Sequence, residues 1–263
     1  MFNEIQVSGG YDKDGNSEKI SYISFERGNV YSIVGKTGSG KTQLIEDIES
    51  LNNGEGLTKR IILIDGKLPD EKLRNEYRSG FIAHLSQNMN YILDMPVIEF
   101  LKMRQKLKTS KNKNTSPEEI LDTANELAGE KIKPHEVLTR LSGGQGRSLM
   151  ISDVALNNEA PVILIDEIEN AGIDKVKALS LLTKKEKITL IITHDPLIAL
   201  HGNKRIVMQN GGIYSVIDRS EHEKKLAEFL AAFNKKIDIT RELIRTGKTL
   251  KGVDEFVLHS VLE

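Results

Sequence analysis

The stretch Gly35-Lys36-Thr37-Gly38-Ser39-Gly40-Lys41-Thr42 combines backbone freedom, a lysine and a hydroxyl in the spacing G-x-x-x-x-G-K-[ST]. Glycines let a loop curl so that successive N–H groups point inward, and such a ring of donors suits phosphate oxygens. Lys41 then reaches the outer phosphates and the Thr42 hydroxyl ligates magnesium, which points to binding of a nucleoside triphosphate. From Gln43 onward the sequence takes a helical pattern, and the positive end of that helix adds to the attraction. A second reactive group is Asp166-Glu167, which ends the apolar run Val162-Ile163-Leu164-Ile165. That run reads as a strand buried on both faces, where unpartnered carboxylates are costly. An Asp holding magnesium beside a Glu that polarises the attacking water answers the cost. His194 follows another buried run, Ile188-Thr189-Leu190-Ile191-Ile192, at the strand end where open α/β sheets bind ligands. His84, His135, His201, His222 and His259 have no comparable setting and read as structural. Finally, Ser142-Gly143-Gly144-Gln145 precedes the apolar-periodic run Leu149 to Leu156, a helix N-terminus open to close approach that reads as a second natural anion site or as a capped turn.

These groups need elements to hold them. Residues 4–34 read as β-rich: Glu4-Ile5-Gln6-Val7 alternates, Gly9-Gly10 and Asp12 to Asn16 make turns, and Ile20 to Phe25 alternates again. Tyr11, in the loop between, reads as a packing or surface residue, with an aromatic face for a base as the alternative. After the phosphate loop comes a strand over Arg60 to Ile64, closed by the turn Asp65-Gly66. Charged residues from Asp70 to Arg78 lead to a short β run, Gly80 to Leu85. From Met95 the spacing turns helical, and Lys108 to Ser116 reads as an exposed loop. Ser116-Pro117-Glu118-Glu119 is a helix start with Ser116 as N-cap, followed by the stripe Ile120, Leu121, Ala124, Leu127 and Ala128. Residues 88–149 therefore read as a helical insertion in an α/β domain. Arg205 to Gln209, Asn210-Gly211 and Gly212 to Ile217 read as a hairpin. A long amphipathic helix starts near Ser220, with Leu226, Phe229, Leu230 and Phe233 on its apolar face. Arg241, Arg245 and Lys248 along that helix read as a solvated face.

Composition narrows the function classes. Hydrophobic content of 38% and charged content of 29% describe a water-exposed globular chain. With 37 basic and 38 acidic residues the net charge is -1, so no global field recruits nucleic acid or anionic lipid. The absence of cysteine excludes disulfides, thiolate metal sites and a cysteine nucleophile, and it suits the reducing cytoplasm. No apolar stretch approaches the roughly 20 residues that span a bilayer. Work at a membrane would need another chain to cross it.

Together these residues resemble the ATP-binding cassette (ABC) ATPases over about residues 1–217, with 218–263 as a C-terminal helical tail. Gly35 to Thr42 is similar to the family's Walker A motif, Gln87 to its Q-loop glutamine, and Leu141 to Gln145 to its LSGGQ signature. Val162 to Glu167 is similar to Walker B and His194 to the switch histidine. The resemblance implies a P-loop NTPase with a RecA-like core, an antiparallel β-subdomain and an inserted helical subdomain holding the signature. It implies ATP and Mg2+ as ligands, sandwiched between two cassettes that form a homo- or heterodimer. Each site would use one subunit's phosphate loop and the other's Ser142, Gly143, Gly144 and Gln145. Carried over position by position, Thr42, Asp166 and Gln87 serve magnesium, Glu167 polarises the water, His194 senses the γ-phosphate and Tyr11 stacks on the base. The reaction is phosphoryl transfer to water, which catalyses mostly by positioning and charge stabilisation.

The chain also departs from the family. After Walker B it carries Ile168-Glu169-Asn170-Ala171-Gly172-Ile173-Asp174, one residue longer than usual and without the customary Pro. Gly146-Arg147-Ser148 replaces the usual Arg-Gln-Arg, and Asp174 to His194 is short. These features set it outside the best-known importer and exporter branches. The leading expectation is the cytoplasmic ATPase subunit of an ABC transporter, peripheral at the inner face of the membrane through permease subunits that dock beside Gln87. The alternative is a soluble ABC ATPase that remodels a protein, assembles a cofactor or acts on nucleic acid, although nucleic acid is not an expected partner.

Overall fold

The computed structural model of the chain describes residues 2–77, 80–86, 89–107, 115–167, 173–183 and 187–247. Two compact units divide it, Met1–Arg219 and Ser220–Glu263. The first unit begins with strands β1 (Glu4–Ser8), β2 (Tyr22–Glu26) and β3 (Val30–Val34), helix α1 (Lys41–Glu49) and strand β4 (Ile62–Ile64). Helix α2 (Glu71–Tyr77), strand β5 (Ile82–Leu85) and helices α3 (Val97–Lys106), α4 (Pro117–Leu127) and α5 (Gly143–Asn157) follow. Strand β6 (Val162–Asp166), helix α6 (Lys175–Thr183), strand β7 (Ile188–Ile192), helix α7 (Pro196–His201) and strands β8 (Lys204–Gln209) and β9 (Gly212–Asp218) complete it.

Period-two alternation builds a small antiparallel sheet in the order β2-β1-β4. Ile5 and Val7 face Phe25, Ile23, Ile64 and Ile62 in register, and all of them are buried. The larger sheet runs β5-β6-β7-β3-β8-β9, parallel except for the β8–β9 hairpin. Its central strands are apolar on both sides because both faces are covered. Val162 and Leu164 of β6 join one hydrophobic cluster, with Leu44 and Ile48 of α1, whereas Ile163 and Ile165 join another, with Ile151 of α5 and Leu179 of α6. In the helical insertion the Ser116 hydroxyl accepts from the Glu119 N–H and caps α4. The buried stripe Ile120, Leu121 and Ala124 then packs with Val97, Leu101 and Leu149.

Two expectations shift. The strand expected over Arg60 to Ile64 begins only at Ile62, because Lys59 adopts φ 57 and Arg60 turns inward to be fully buried. The charged stretch after Asp70 forms α2, which lacks an apolar period; Asp70 starts it by accepting from the Leu73 N–H. Most of the Lys108–Ser116 loop lies outside the described residues.

The second unit is the helix α8 (Glu221–Arg245), started by Ser220, whose hydroxyl accepts from the Glu223 N–H. Phe229 and Phe233 stack one turn apart with ring centroids 6.5 Å from each other. Arg241 pairs with Asp238 at 2.9 Å, whereas Lys248 lies outside the described residues. No helix among the described residues is long and apolar enough to cross a membrane.

Candidate functional site

Parallel register brings the reactive groups to one edge of the large sheet. Asp166 stands opposite Ile192, and Ile192 opposite Ile33, so β6, β7 and β3 end at the same height. The phosphate loop leaves β3 there, Glu167 follows β6, and His194 lies two residues beyond β7. This is the C-terminal edge, where parallel sheets place their ligands.

Gly40 bears φ 98, and a Cβ on it would lie 2.6 Å from the Cα of Gly211. Gly35 is equally confined, since its Cβ would meet the Met208 carbonyl and the Ser39 hydroxyl, each at 2.5 Å. The loop is thus held against the β8–β9 turn, and the Gly211 N–H donates to the Ser39 carbonyl at 2.8 Å. Lys36, Thr37 and Gly38 are exposed. Helix α1 starts with no side-chain cap and no acidic residue in its first turn, so its free N–H groups and dipole face the loop uncompensated. Lys41 donates to the carbonyls of Gly35 at 2.8 Å and Lys36 at 3.3 Å, while the buried Ser39 hydroxyl lacks a hydrogen-bond partner. Thr42 is exposed in the first turn of α1, and Gln43 donates one turn further along the helix to Asp47 at 3.5 Å. A polyanion fits this donor-rich, acid-free loop, and the oxygen ligands of Thr42 and Asp166 suit magnesium.

Glu167 occupies the left-handed region at φ 49, unusual for a residue with a side chain and costing about 1–3 kcal/mol. Its N–H donates to the Ile192 carbonyl at 3.0 Å, which ties the turn to β7. The turn sets the Glu167 carboxylate 3.9 Å from His194 Nε2, and the imidazole remains half exposed. Behind His194, Asp195 caps α7 by accepting from Leu197 and Ile198 and pairs with Lys175 at 2.8 Å. Asp174 accepts from the Lys177 N–H and so starts α6. Ile168 to Gly172 and Gln87 lie outside the described residues.

The signature turn has a different construction. Ser142 and Gln145 form a reciprocal capping box: the Ser142 hydroxyl accepts from the Gln145 N–H at 3.3 Å, and Gln145 Oε1 accepts from the Ser142 N–H at 2.9 Å. Gln145 is buried and also donates to the Lys131 carbonyl, while Ser142 and Gly143 are exposed. One turn on, Arg147 donates to the Ser86 carbonyl at 2.5 Å. Burial pushes its guanidinium down from the ordinary value, and the Asp166 carboxylate works against that shift.

Tyr11 bridges Ser17 across its loop, donates its N–H to the Thr58 carbonyl at 2.8 Å and is 47% exposed, so its ring is open to a base. Sequence reasoning missed Lys13, which reaches the phosphate loop and donates to the Gly38 carbonyl at 2.7 Å. The only hint was its place in the turn after Tyr11.

Residues 19–170 match the family model described as ABC transporter. An uncharacterized ABC transporter ATP-binding protein of Methanocaldococcus jannaschii is 46% identical over 251 residues, 95% of this chain and 96% of that protein. The energy-coupling factor transporter ATP-binding protein EcfA2 of Staphylococcus aureus is 29% identical over 224 residues, 78% and 75% of the two chains. Among solved structures, cbiO1 of Clostridium perfringens, part of the ABC transporter complex cbiONQ, superposes with a TM-score of 0.61 at 23% identity, covering 94% of this chain and 98% of its own. A dimeric ATP-binding cassette in a post-hydrolysis state with ADP and Pi gives 0.60 at 22% identity, covering 82% and 99%. The chain belongs to the ABC transporter family, as one of its ATP-binding, ATP-hydrolysing subunits.

Proposed function

We propose that two copies of this ATPase, or one copy and a related subunit, close face to face around two ATP molecules and so drive separate membrane subunits. The observation that carries this reading is the form of the signature turn. Gly143 has an ordinary backbone, and a Cβ there would meet nothing within 4 Å. Among the described residues nothing requires a glycine at that position, whereas a ligand and second subunit arriving from outside would. In this reading Met1 to Ile217 is the ATPase domain, with residues 88–149 as its helical subdomain, and 218–263 is a tail.

Each composite site draws the phosphate loop, Glu167 and His194 from one chain and Ser142 to Gln145 from the other. Residues Gly35 to Gln43 wrap the phosphates with N–H groups, Lys41 and the α1 dipole, and Tyr11 supports the base. Thr42, Asp166 and Gln87 would hold magnesium, which neutralises phosphate charge. Glu167 takes a proton from the attacking water, and His194 orients Glu167 and the terminal phosphate. Exposed Met89, Leu93 and above all Ile92, which is 90% exposed, give the start of the helical insertion an apolar stretch for a membrane subunit to dock on. The names of EcfA2 and cbiO1, an energy-coupling factor protein and a part of a larger transporter, agree with such an assembly. The site would then face the cytoplasm at the inner membrane surface.

The test is Glu167→Gln, which keeps ATP binding but removes the base. Size-exclusion chromatography with Mg-ATP should show a stable dimer while turnover falls about 10²-fold or more. A chain that binds ATP and stays monomeric contradicts closure between copies of itself.

A further inference from the structure

Arg60 is fully buried, along with the carboxylates it holds. Its guanidinium donates to Asp47 of α1 at 2.8 Å, to Glu18 at the end of the Tyr11 loop, and to the Gly211 carbonyl at 2.8 Å. Both carboxylates are further satisfied. Asp47 accepts from Thr58 at 2.8 Å and Asn52 at 3.0 Å, and Glu18 accepts from the N–H groups of Gly10 and Ile213 at 2.8 Å. A buried cation flanked by two acids and fully hydrogen-bonded is seldom the cheapest way to fill a core, because apolar side chains of similar volume often do as well. Its placement explains it better than its contribution to stability does.

The three groups it joins belong to α1, to the β8–β9 turn that holds the phosphate loop, and to the loop carrying Tyr11. Asp47 lies on the helix that starts at Lys41. Gly211 packs on Gly40 and donates to the Ser39 carbonyl. Glu18 closes the loop carrying Tyr11, whose N–H rests on the Thr58 carbonyl, and Thr58 in turn rests on Asp47. Gly10 is pressed into the same cluster; a Cβ there would lie 2.1 Å from the Thr58 oxygen and 2.9 Å from Arg60 Cγ.

We infer that Arg60 is a positioning residue for the nucleotide, fixing the Tyr11 loop at a set distance from the phosphate loop so that base and phosphates are gripped together. This rests on the ATP site described above. Without the fork of Arg60 the phosphate loop keeps β3, α1 and the Gly211 N–H; the Tyr11 loop keeps the bonds of Lys13 to Gly38 and Asn210 at its tip but loses the cation that anchors Glu18 at its base. The loss should therefore fall on the base and spare the phosphates. A lysine keeps the charge but cannot span Glu18, Asp47 and the Gly211 carbonyl in one plane.

The test measures, by calorimetry on the full chain with magnesium, the affinities for ATP and for inorganic tripolyphosphate, which has the phosphates but no base. Two variants are compared with the unaltered chain. One is Arg60→Lys; the other is Arg60→Met combined with Glu18→Gln and Asp47→Asn, which leaves no buried carboxylate unpaired. In both, ATP affinity should fall roughly tenfold, the scale of one base–aromatic stack, while tripolyphosphate affinity stays within about threefold. Equal losses for the two ligands, or no loss for ATP, overturn the proposal. So does a neutral triple variant that fails to fold, since the cluster would then serve the fold and not the site. An unaltered chain that binds neither ligand fails at the phosphate loop, and that result removes the ATP site itself.

Discussion

The phosphate loop and the signature turn are both glycine-rich helix starts, yet they are built in opposite ways. At the phosphate loop the glycines answer to their own chain: Gly40 is held at φ 98 with Gly211 against it, and Gly35 is pressed between Met208 and Ser39. At the signature turn the helix is already capped by Ser142 and Gln145, and Gly143 faces open space. One half is confined by its own chain and ends in a helix start without a side-chain cap, which suits an anion. The other is finished as structure and keeps a bare surface. In the proposed composite site the first would be the fixed cradle and the second the lid brought by another chain.

Substitutions can break this contrast. The largest effect belongs to Gly40→Ala, which forces a side chain into φ 98 and against Gly211. We expect a stability loss of about 2–4 kcal/mol in urea unfolding together with loss of ATP binding by calorimetry. Gly143→Asp should divide the two effects. An acid in the first turn of α5 favours the helix dipole, so stability holds or rises by about 0.3–1 kcal/mol and ATP affinity of the single chain is retained. Turnover should nevertheless collapse, because carboxylate and phosphate charges would meet on closure. If Gly143→Asp instead unfolds the chain, the signature glycine serves its own fold and the contrast is lost.

The smallest effect sharpens the description of the sheet half. His201 ends α7, whose Ile198 carbonyl accepts from Ser32 of β3. Burial, reinforced by the Arg219 charge, holds its imidazole below the ordinary value of 6.5. Below that pH the unfolded chain takes up a proton that the folded chain resists, so the neutral histidine's contribution is full above about pH 6.5 and declines as pH falls. Urea midpoints at pH 7.5 and 5.5 should therefore differ less in His201→Gln than in the unaltered chain.

What the sequence revealed and what it hid follow one physical division. The glycine loop, the buried runs of β6 and β7, the caps at Ser116 and Ser142 and the turn at Asn210-Gly211 are each written within a few neighbouring residues, and all were legible. Arg60 was not, since its partners stand 13, 42 and 151 positions away and a lone arginine at a strand start reads as surface. Lys13 escaped notice for the same reason, its acceptor lying 25 positions along. Helix α2 was hidden because its charged residues carry no apolar period, so Asp70 at its start was the available sign. The left-handed turn at Glu167 also had no local signal, as glycine rather than glutamate marks that conformation.

The composite site is tested most directly by mixing two inactive chains. Lys41→Ala removes the phosphate grip and Gly143→Asp blocks the lid, so neither hydrolyses ATP alone. In an equal mixture, half of the symmetric dimers pair the two variants and each such dimer keeps one intact site, so ATPase activity should recover to about a quarter of the unaltered level. A mixture no more active than its separate parts would contradict a site shared between two copies of this chain.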